Sequence, residues 1–327
     1  MCMTFPFSAL VGQQKMRLAL LLNAIDPMIG GVLICGRRGT GKSTAVRAIA
    51  NLLPPIMGVA DCPYFCDPSS PRWICSSCQE RLARQERLPT EQRSVPLVTL
   101  PLNASEDRVA GSFDLATALE TGQTHFAPGL LAQANRGFLY VDEINLLNDT
   151  IVDLLLDAAA LGINRVEREG VSIVHPARFT LIGTMNLEEG MLRPQLLDRL
   201  GLYVDTEDIR DVAIRTTVVE RRLAYDANPI DFARKWDEAE SILKERIIRA
   251  RHLLPSIRIS SYLKQVIAVI VDQRLHAEGH RGDLVVLRTA RAIAAWDNRT
   301  EVQLPDIEQA VTLAMPHRMR NDGKVTQ

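Results

Sequence analysis

No apolar run in the chain reaches the 18 or more residues that a membrane-spanning helix needs; the longest, such as residues 266–271, fall well short. Charge of one sign is also missing. Lys and Arg number 38 against 39 Asp and Glu, a formal net charge of -1, which excludes a broad electrostatic footprint for nucleic acid or an anionic membrane and leaves specific local binding open. The first residues, MCMTFPFSAL, carry neither the basic stretch and long apolar core of a secretory signal nor the Arg- and Ser-rich character of an organelle presequence, so the expectation is a cytoplasmic protein. Neither an internal repeat nor a low-complexity segment is found.

What is present is an ordinary globular composition, 46% hydrophobic and 24% charged over 327 residues, long enough for two domains with a core each. Residues 32–35 (VLIC) form an apolar run followed by a Gly-rich turn and by STAVRAIANLL, whose apolar positions recur at helical spacing. VPLVTLPL (95–102), GFLYVDE (137–143) and FTLIGTMN (179–186) are further apolar strands, separated by helix-like segments such as TIVDLLLDAAALG. Strands alternating with helices predict an α/β fold with a parallel sheet buried on both faces. After about residue 205 the pattern is helical throughout, punctuated by Asn228-Pro229, Leu254-Pro255 and Leu304-Pro305, because proline disfavours the helical region for the residue before it. Residues 58–94 read as an insertion between a helix and the next strand.

GRRGTGKS at 36–43 matches G-x-x-x-x-G-K-[ST] in its proper context, between an apolar strand and a helix, and predicts a nucleoside triphosphate ligand. Gly36, Gly39 and Gly41 let backbone N–H groups curl round phosphates, Lys42 reaches the β and γ oxygens, and the Ser43 hydroxyl ligates Mg²⁺ at the positive end of the following helix. Asp142 and Glu143 end an apolar strand, where carboxylates face the ligand crevice of an open α/β sheet. Asp142 is suited to the Mg²⁺ shell and Glu143 to polarising the attacking water. Asn186 ends a third strand, where its amide serves either to orient that water or as a turn cap.

With these motifs the sequence resembles an AAA+ ATPase, and more narrowly the I subunit of magnesium chelatase. The resemblance rests on FPFSALVGQ (5–13), GRRGTGKST (36–44), FAPGLLAQANRGFLYVDEINLL (126–147), VEREGVSIVHPARFTLIGTMNLEEGMLRPQLLDRLGL (166–202) and GDLVVLRTARAIAAW (282–296). It implies an AAA+ P-loop core over residues 1–205 with hairpin insertions, connecting helices over 206–254 and an all-helical lid over 255–327. By position, it puts Val11, Gly12 and Gln13 near the adenine and Thr40 and Thr44 beside Lys42 and Ser43 at the phosphates. It makes Asn186 the first sensor, Arg199 an arginine finger reaching a neighbour's nucleotide, and Arg288 a second sensor. Read without the family, Arg199 pairs with an acid such as Asp198, and Arg288 covers a helix face with its stem.

Two hairpins, in 114–131 and 164–181, are implied as places where hydrolysis is passed to a partner; for the second, VERE and VSIVH flanking Glu169-Gly170 support a turn directly. The resemblance further implies ATP and Mg²⁺ as cofactors, a ring, expected to be a hexamer, and middle and large partner subunits. The reaction implied is Mg²⁺ insertion into protoporphyrin IX. The porphyrin belongs to the large subunit, in keeping with only 5% aromatic residues here. A cobalt chelatase subunit and a nucleotide-binding regulator with little turnover are the alternatives. Leu200 and Leu187 stand where the family usually has Phe and Pro, and the cysteine insert departs from the pattern more widely.

Of six cysteines, Cys2 and Cys35 stand apart, Cys35 as a core strand residue, while Cys62, Cys66, Cys75 and Cys78 fall within 17 residues. The spacing x3, x8, x2 offers four thiolates to a tetrahedral Zn²⁺, with Pro63, Pro68 and Pro71 suiting a metal-ordered loop more than a helix. A reversible Cys75–Cys78 disulfide, buried free thiols and an iron–sulfur cluster remain open. His276 and His280, at i, i+4, lack a nearby acid at the right position for a metal site and read as a solvated helix end.

Overall fold

A computed structural model describes residues 4–114, 125–168, 171–206, 208–275 and 279–319. The chain divides into two compact units, residues 1–53 with 184–327 and residues 54–183. The strands among the described residues are β1 (Val32–Cys35), β2 (Ile56–Val59), β3 (Thr90–Arg93), β4 (Leu97–Leu100), β5 (Gly111–Asp114), β6 (His125–Pro128), β7 (Phe138–Val141), β8 (Ile163–Arg168), β9 (Val171–Pro176), β10 (Thr180–Met185) and β11 (Leu202–Asp205). Five of them form one sheet in the order β11-β1-β10-β7-β4, and the chain passes from one unit to the other within β10. The pairings are parallel, with Val32 opposite Leu202, Thr180 opposite Phe138 and Leu97 opposite Phe138. β1, β7 and β10 are buried along their whole length, as continuous apolar strands covered on both faces must be.

The expected α/β core is therefore observed, and the helical remainder with it. β11 was not expected: it is four residues long with an exposed Asp205, too short for any period to show. The helices Val212–Ala227, Pro229–Arg234, Asp237–Leu253, Ser261–Val269, Arg281–Trp296 and Leu304–Ala314 follow. Asn228 ends one helix and caps the next, its Oδ1 accepting from Asp231 N at 3.1 Å, with Pro229 at the first helical position. At the helix Leu304–Ala314 Gln303 and Asp306 form a capping box that spans Pro305. No helix among the described residues is long and apolar enough to cross a membrane.

The two implied hairpins appear as antiparallel pairs. β5 pairs with β6 and β8 with β9, the latter in a register that sets Asn164 opposite His175. Residues 115–124 of the first, and Glu169-Gly170 of the second, lie outside the described residues. In the insert, β2 and β3 make an antiparallel ribbon. It also contains a helix, Ser76–Ala83, where the prolines had suggested a loop. All three prolines precede Cys75, which occupies the N-cap position, so they limit the helix rather than forbid it.

Candidate nucleotide site and cysteine centre

In the unit that holds β1, the phosphate loop leads directly into the helix Lys42–Leu52. Gly39 and Gly41 adopt left-handed φ of 82° and 83°, a conformation that side chains resist and that lets the loop fold back over the helix N-terminus. The Lys42 ammonium lies inside this curve, donating to the carbonyl oxygens of Gly36 and, at 2.9 Å, Arg37. Thr40 Oγ1 donates to Arg37 O at 3.1 Å and stands 3.3 Å from Thr206 Oγ1. A cavity of about 680 Å³ opens beside the loop. Val11 and Ile209 give it apolar walls; Gly39, Thr40 and Thr44 line the loop side, with Arg38 and Arg215 as basic groups. Its size and its mixture of apolar and basic lining fit a nucleotide with a planar base and an anionic tail. Gln13 also lines it and, as the N-cap of the helix Gln14–Ile25, holds a left-handed φ of 49°; Gly12 precedes it.

β10 ends next to the start of the loop, since Gly36 N donates to Met185 O at 3.0 Å. Asn186 follows, buried, and its Oδ1 accepts from Glu188 N at 3.3 Å, the turn-cap arrangement. Arg199 sits in the turn after Pro194–Leu197, half-buried, its N donating to Leu196 O at 3.1 Å. This turn is clamped from the turn that follows the helix Leu304–Ala314. The Arg318 side chain is almost wholly buried and donates to the carbonyls of Asp198 at 2.7 Å, Gly201 at 2.9 Å and Leu200, while its Nε meets Asp198 Oδ1 at 3.1 Å. Arg281 takes the other Asp198 oxygen at 3.0 Å. Gly201 leaves no room for a Cβ against the Ile29 carbonyl, so the turn is fixed from below as well. Arg288 donates through Nη1 to Met28 O at 2.5 Å, and Arg291 through Nη2 to Leu254 O at 2.8 Å. Burial pushes the Cys35 thiol up to about 12, in keeping with a core strand residue. His280 is exposed 3.8 Å from Asp283, and His276 lies outside the described residues.

In the other unit, β7 delivers Asp142 and Glu143. Tyr140, buried, donates its hydroxyl to Asp142 Oδ1 at 2.9 Å. Glu143 holds a left-handed φ of 53°, one of six non-glycine residues to do so among those described. Gln13 is another, so two of these strained positions fall on residues singled out for nucleotide chemistry.

The four cysteines of the insert converge in the same unit. Their Sγ atoms all lie within 4.8 Å of one another, every one is buried and free of disulfide bonding, and Cys62 and Cys75 are 3.7 Å apart. Cys75 N donates to Cys66 Sγ at 3.2 Å. Hydrogen bonds from the neighbouring sulfurs of Cys66 and Cys75 hold the Cys62 thiol far below its ordinary range, whereas Cys66, on the donating side of that exchange, is pushed up. Val59, Ile74 and Leu88 complete the core around the sulfurs, with Tyr64 against it.

Sequence reasoning missed four residues here. Tyr140 was legible in principle, because residues i and i+2 of a strand share a face. Ile209 and Arg215 lie beyond any motif, and Arg318 follows a helix end with no signal of what it would reach.

Comparison with known proteins gives this geometry a context. Residues 111–209 match the family model for magnesium chelatase, subunit ChlI, and residues 269–327 that of the AAA lid domain. A magnesium-chelatase subunit ChlI homolog of Methanocaldococcus jannaschii is 51% identical over 97% of this chain and 86% of its own length. Magnesium-chelatase subunit ChlI of a Nostoc species is 49% identical over 97% of this chain and 85% of its own. The chain belongs to the magnesium-chelatase subunit I family. Members of this family are the AAA+ ATPase component of magnesium chelatase, and the sheet and helical lid of the present chain have that fold. A cryo-EM-based structure of the complex between subunits BchI and BchD of magnesium chelatase is similar, with a TM-score of 0.57, 47% identity and 97% of each chain covered.

Proposed function

We propose that this chain is the ATP-hydrolysing motor subunit of a magnesium chelatase, driving ATP-dependent insertion of Mg²⁺ into protoporphyrin IX in chlorophyll or bacteriochlorophyll synthesis. The observation that carries the reading is identity near one half with ChlI subunits across 97% of the chain, joined to a complete phosphate loop. In this reading Lys42 offsets phosphate charge, Thr40 and Thr44 bind at the loop, and Val11, Gly12 and Gln13 hold the base. Ser43 and Asp142 would hold the nucleotide's Mg²⁺, which would supply charge neutralisation at the phosphates. Glu143 polarises the attacking water and Asn186 orients it. Arg199 serves a neighbouring subunit's nucleotide, which family logic for arginine fingers rates at about 10³ to 10⁵ in rate. Arg288 reports the γ-phosphate from the lid. The core over 1–205, connecting helices over 206–254 and lid over 255–327 are the working parts of the same reading.

Self-association into a ring with the middle subunit as partner is supported by the relative solved as a BchI and BchD complex; in the same reading the ring is a hexamer and a large subunit holds the porphyrin. Self-association is supported also by apolar side chains left exposed along one helix, Val212, Val219 and Leu223. Four free buried thiols suit a reducing compartment, the cytoplasm.

Zn²⁺ at Cys62, Cys66, Cys75 and Cys78 is the further cofactor. Thiolates about 2.3 Å from one ion in a tetrahedron stand about 3.8 Å from each other, and the spacing of Cys62 and Cys75 matches that edge. A polynuclear iron–sulfur cluster sets several atoms between its thiolates and needs a wider cage. Reconstitution with middle and large chelatase subunits tests the functional reading: ATP-dependent insertion of Mg²⁺ and not Co²⁺ is expected, and the reverse preference overturns it.

A further inference from the structure

The insert over residues 58–94 is too small to hold itself. A segment of about 40 residues falls at the size where metals or disulfides usually supplement the core, and this one buries Val59, Ile74 and Leu88 around its four sulfurs. It meets the rest of its unit at several points, among them Trp73 under the Arg178 guanidinium and Asp67 3.2 Å from Arg136, and one of these contacts runs through the loop 62–66. Cys62 and Cys66 bracket Tyr64, so any ion bound by the two cysteines fixes that residue from both sides. The Tyr64 carbonyl accepts from Asn135 Nδ2 at 2.8 Å. Its ring stacks on His175, with centroids 4.7 Å apart and planes 12° from parallel.

His175 is the link onward. It is buried in β9, and its Nε2 stands 3.0 Å from the amide nitrogen of Asn164, its cross-strand partner in β8. That amide nitrogen also donates to Ala110 O at 2.8 Å, tying the strand pair to the end of the helix Glu106–Ala110. With Asn164 donating, His175 carries its proton on Nδ1 and gives it to Pro176 O at 3.0 Å. One aromatic stack therefore joins the cysteine loop to both strands of the β8 and β9 hairpin.

We infer that the ion at the four cysteines controls the order of the β8 and β9 hairpin, through Tyr64 held against His175. The inference rests on the zinc reading above and adds to it a coupling. With the ion in place the loop 62–66 is rigid and the stack is pre-formed. Without it the loop gains freedom, the Tyr64 ring no longer covers His175, and the strand pair loses one wall of its packing. Since this hairpin is one of the two assigned to passing hydrolysis to a partner, the metal would set whether that element is ready.

The experiment is metal analysis combined with hydrogen exchange on the full chain. Protein purified without added metal is expected to hold one Zn²⁺ per chain. Removal of the ion by a chelator under reducing conditions is expected to speed exchange of the amides at 171–175 by about tenfold or more, with the helix Arg281–Trp296 of the other unit unchanged. A Tyr64→Ala variant is expected to keep its Zn²⁺ and still show the faster exchange, which separates loss of the stack from general unfolding. Zinc near zero with four freely titrating thiols overturns the metal reading and the coupling together. A full complement of zinc, with hairpin exchange unmoved in both the stripped protein and Tyr64→Ala, overturns the coupling alone.

Discussion

The Arg318 guanidinium binds the carboxylate and the backbone carbonyl of Asp198 at once, at 3.1 and 2.7 Å. Arg199 is the next residue, so the turn after the helix Leu304–Ala314 sets the turn that carries the proposed finger. A lysine at 318 keeps the charge and loses the planar fork that serves several acceptors together. Arg318→Lys is expected to lower ATP turnover about tenfold or more while nucleotide affinity stays within about twofold, because the cavity residues are untouched. Steady-state hydrolysis beside binding of a non-hydrolysable analogue checks it; full turnover would detach Arg318 from the finger.

If Arg199 acts on a neighbouring chain, two inactive variants complement each other. Arg199→Ala and Glu143→Gln are each expected to lose hydrolysis and retain nucleotide. In mixed rings, a Glu143→Gln chain donates its intact Arg199 to a site whose Glu143 is intact, so partial activity is expected to return. Verified mixed rings without recovery, and hydrolysis per chain independent of protein concentration, would place Arg199 within its own chain.

Tyr140 steers Asp142 through its hydroxyl. Tyr140→Phe removes that bond and little volume, so stability is expected to fall by about 1 kcal/mol. The Mg²⁺ concentration needed for half-maximal hydrolysis is expected to rise several-fold, read by titrating Mg²⁺ at fixed ATP. An unchanged requirement would separate Tyr140 from the metal.

The core strands and the phosphate loop were legible because their signals are local: a buried strand is a short apolar run, and Gly39, Gly41 and Lys42 act within one turn. Burial of the four cysteines within reach of one another was likewise readable in outline from their spacing. What could not be read was carried over distance. The reach of Arg318 across 120 positions to Asp198 has no sequence period. β11 is an edge strand of four residues. The stack of Tyr64 on His175 spans two segments that share no motif. Asn186 was legible as a turn cap, because an amide at a strand end bonds its own backbone two residues on.

Burial and the nearby Arg318 push the pKa of His317 down to about 3, and its Nε2 stands 3.1 Å from Leu200 O with the ring stacked on Tyr203. An unfolded histidine titrates near 6.5. Between these values the unfolded chain binds a proton that the folded chain refuses. This contribution is complete above pH of about 6.5 and is lost as pH falls, by up to about 1.4 kcal/mol per unit. His175, lowered by burial, acts with the same sign. Denaturant unfolding at pH 7 and pH 5 is expected to show a larger loss for the parent than for His317→Gln; equal losses would show that His317 is not responsible.

The central claim is that ATP hydrolysis by this chain drives metal insertion, and its most direct test is porphyrin metallation with middle and large chelatase subunits, followed by the change in porphyrin fluorescence. With the parent chain and ATP, Mg-protoporphyrin is expected to accumulate. With Glu143→Gln, which keeps the phosphate loop and the Mg²⁺ ligands, ATP is expected to bind and accumulation to fall by orders of magnitude. Metallation at the parent rate with Glu143→Gln, or with the chain left out, would contradict the claim.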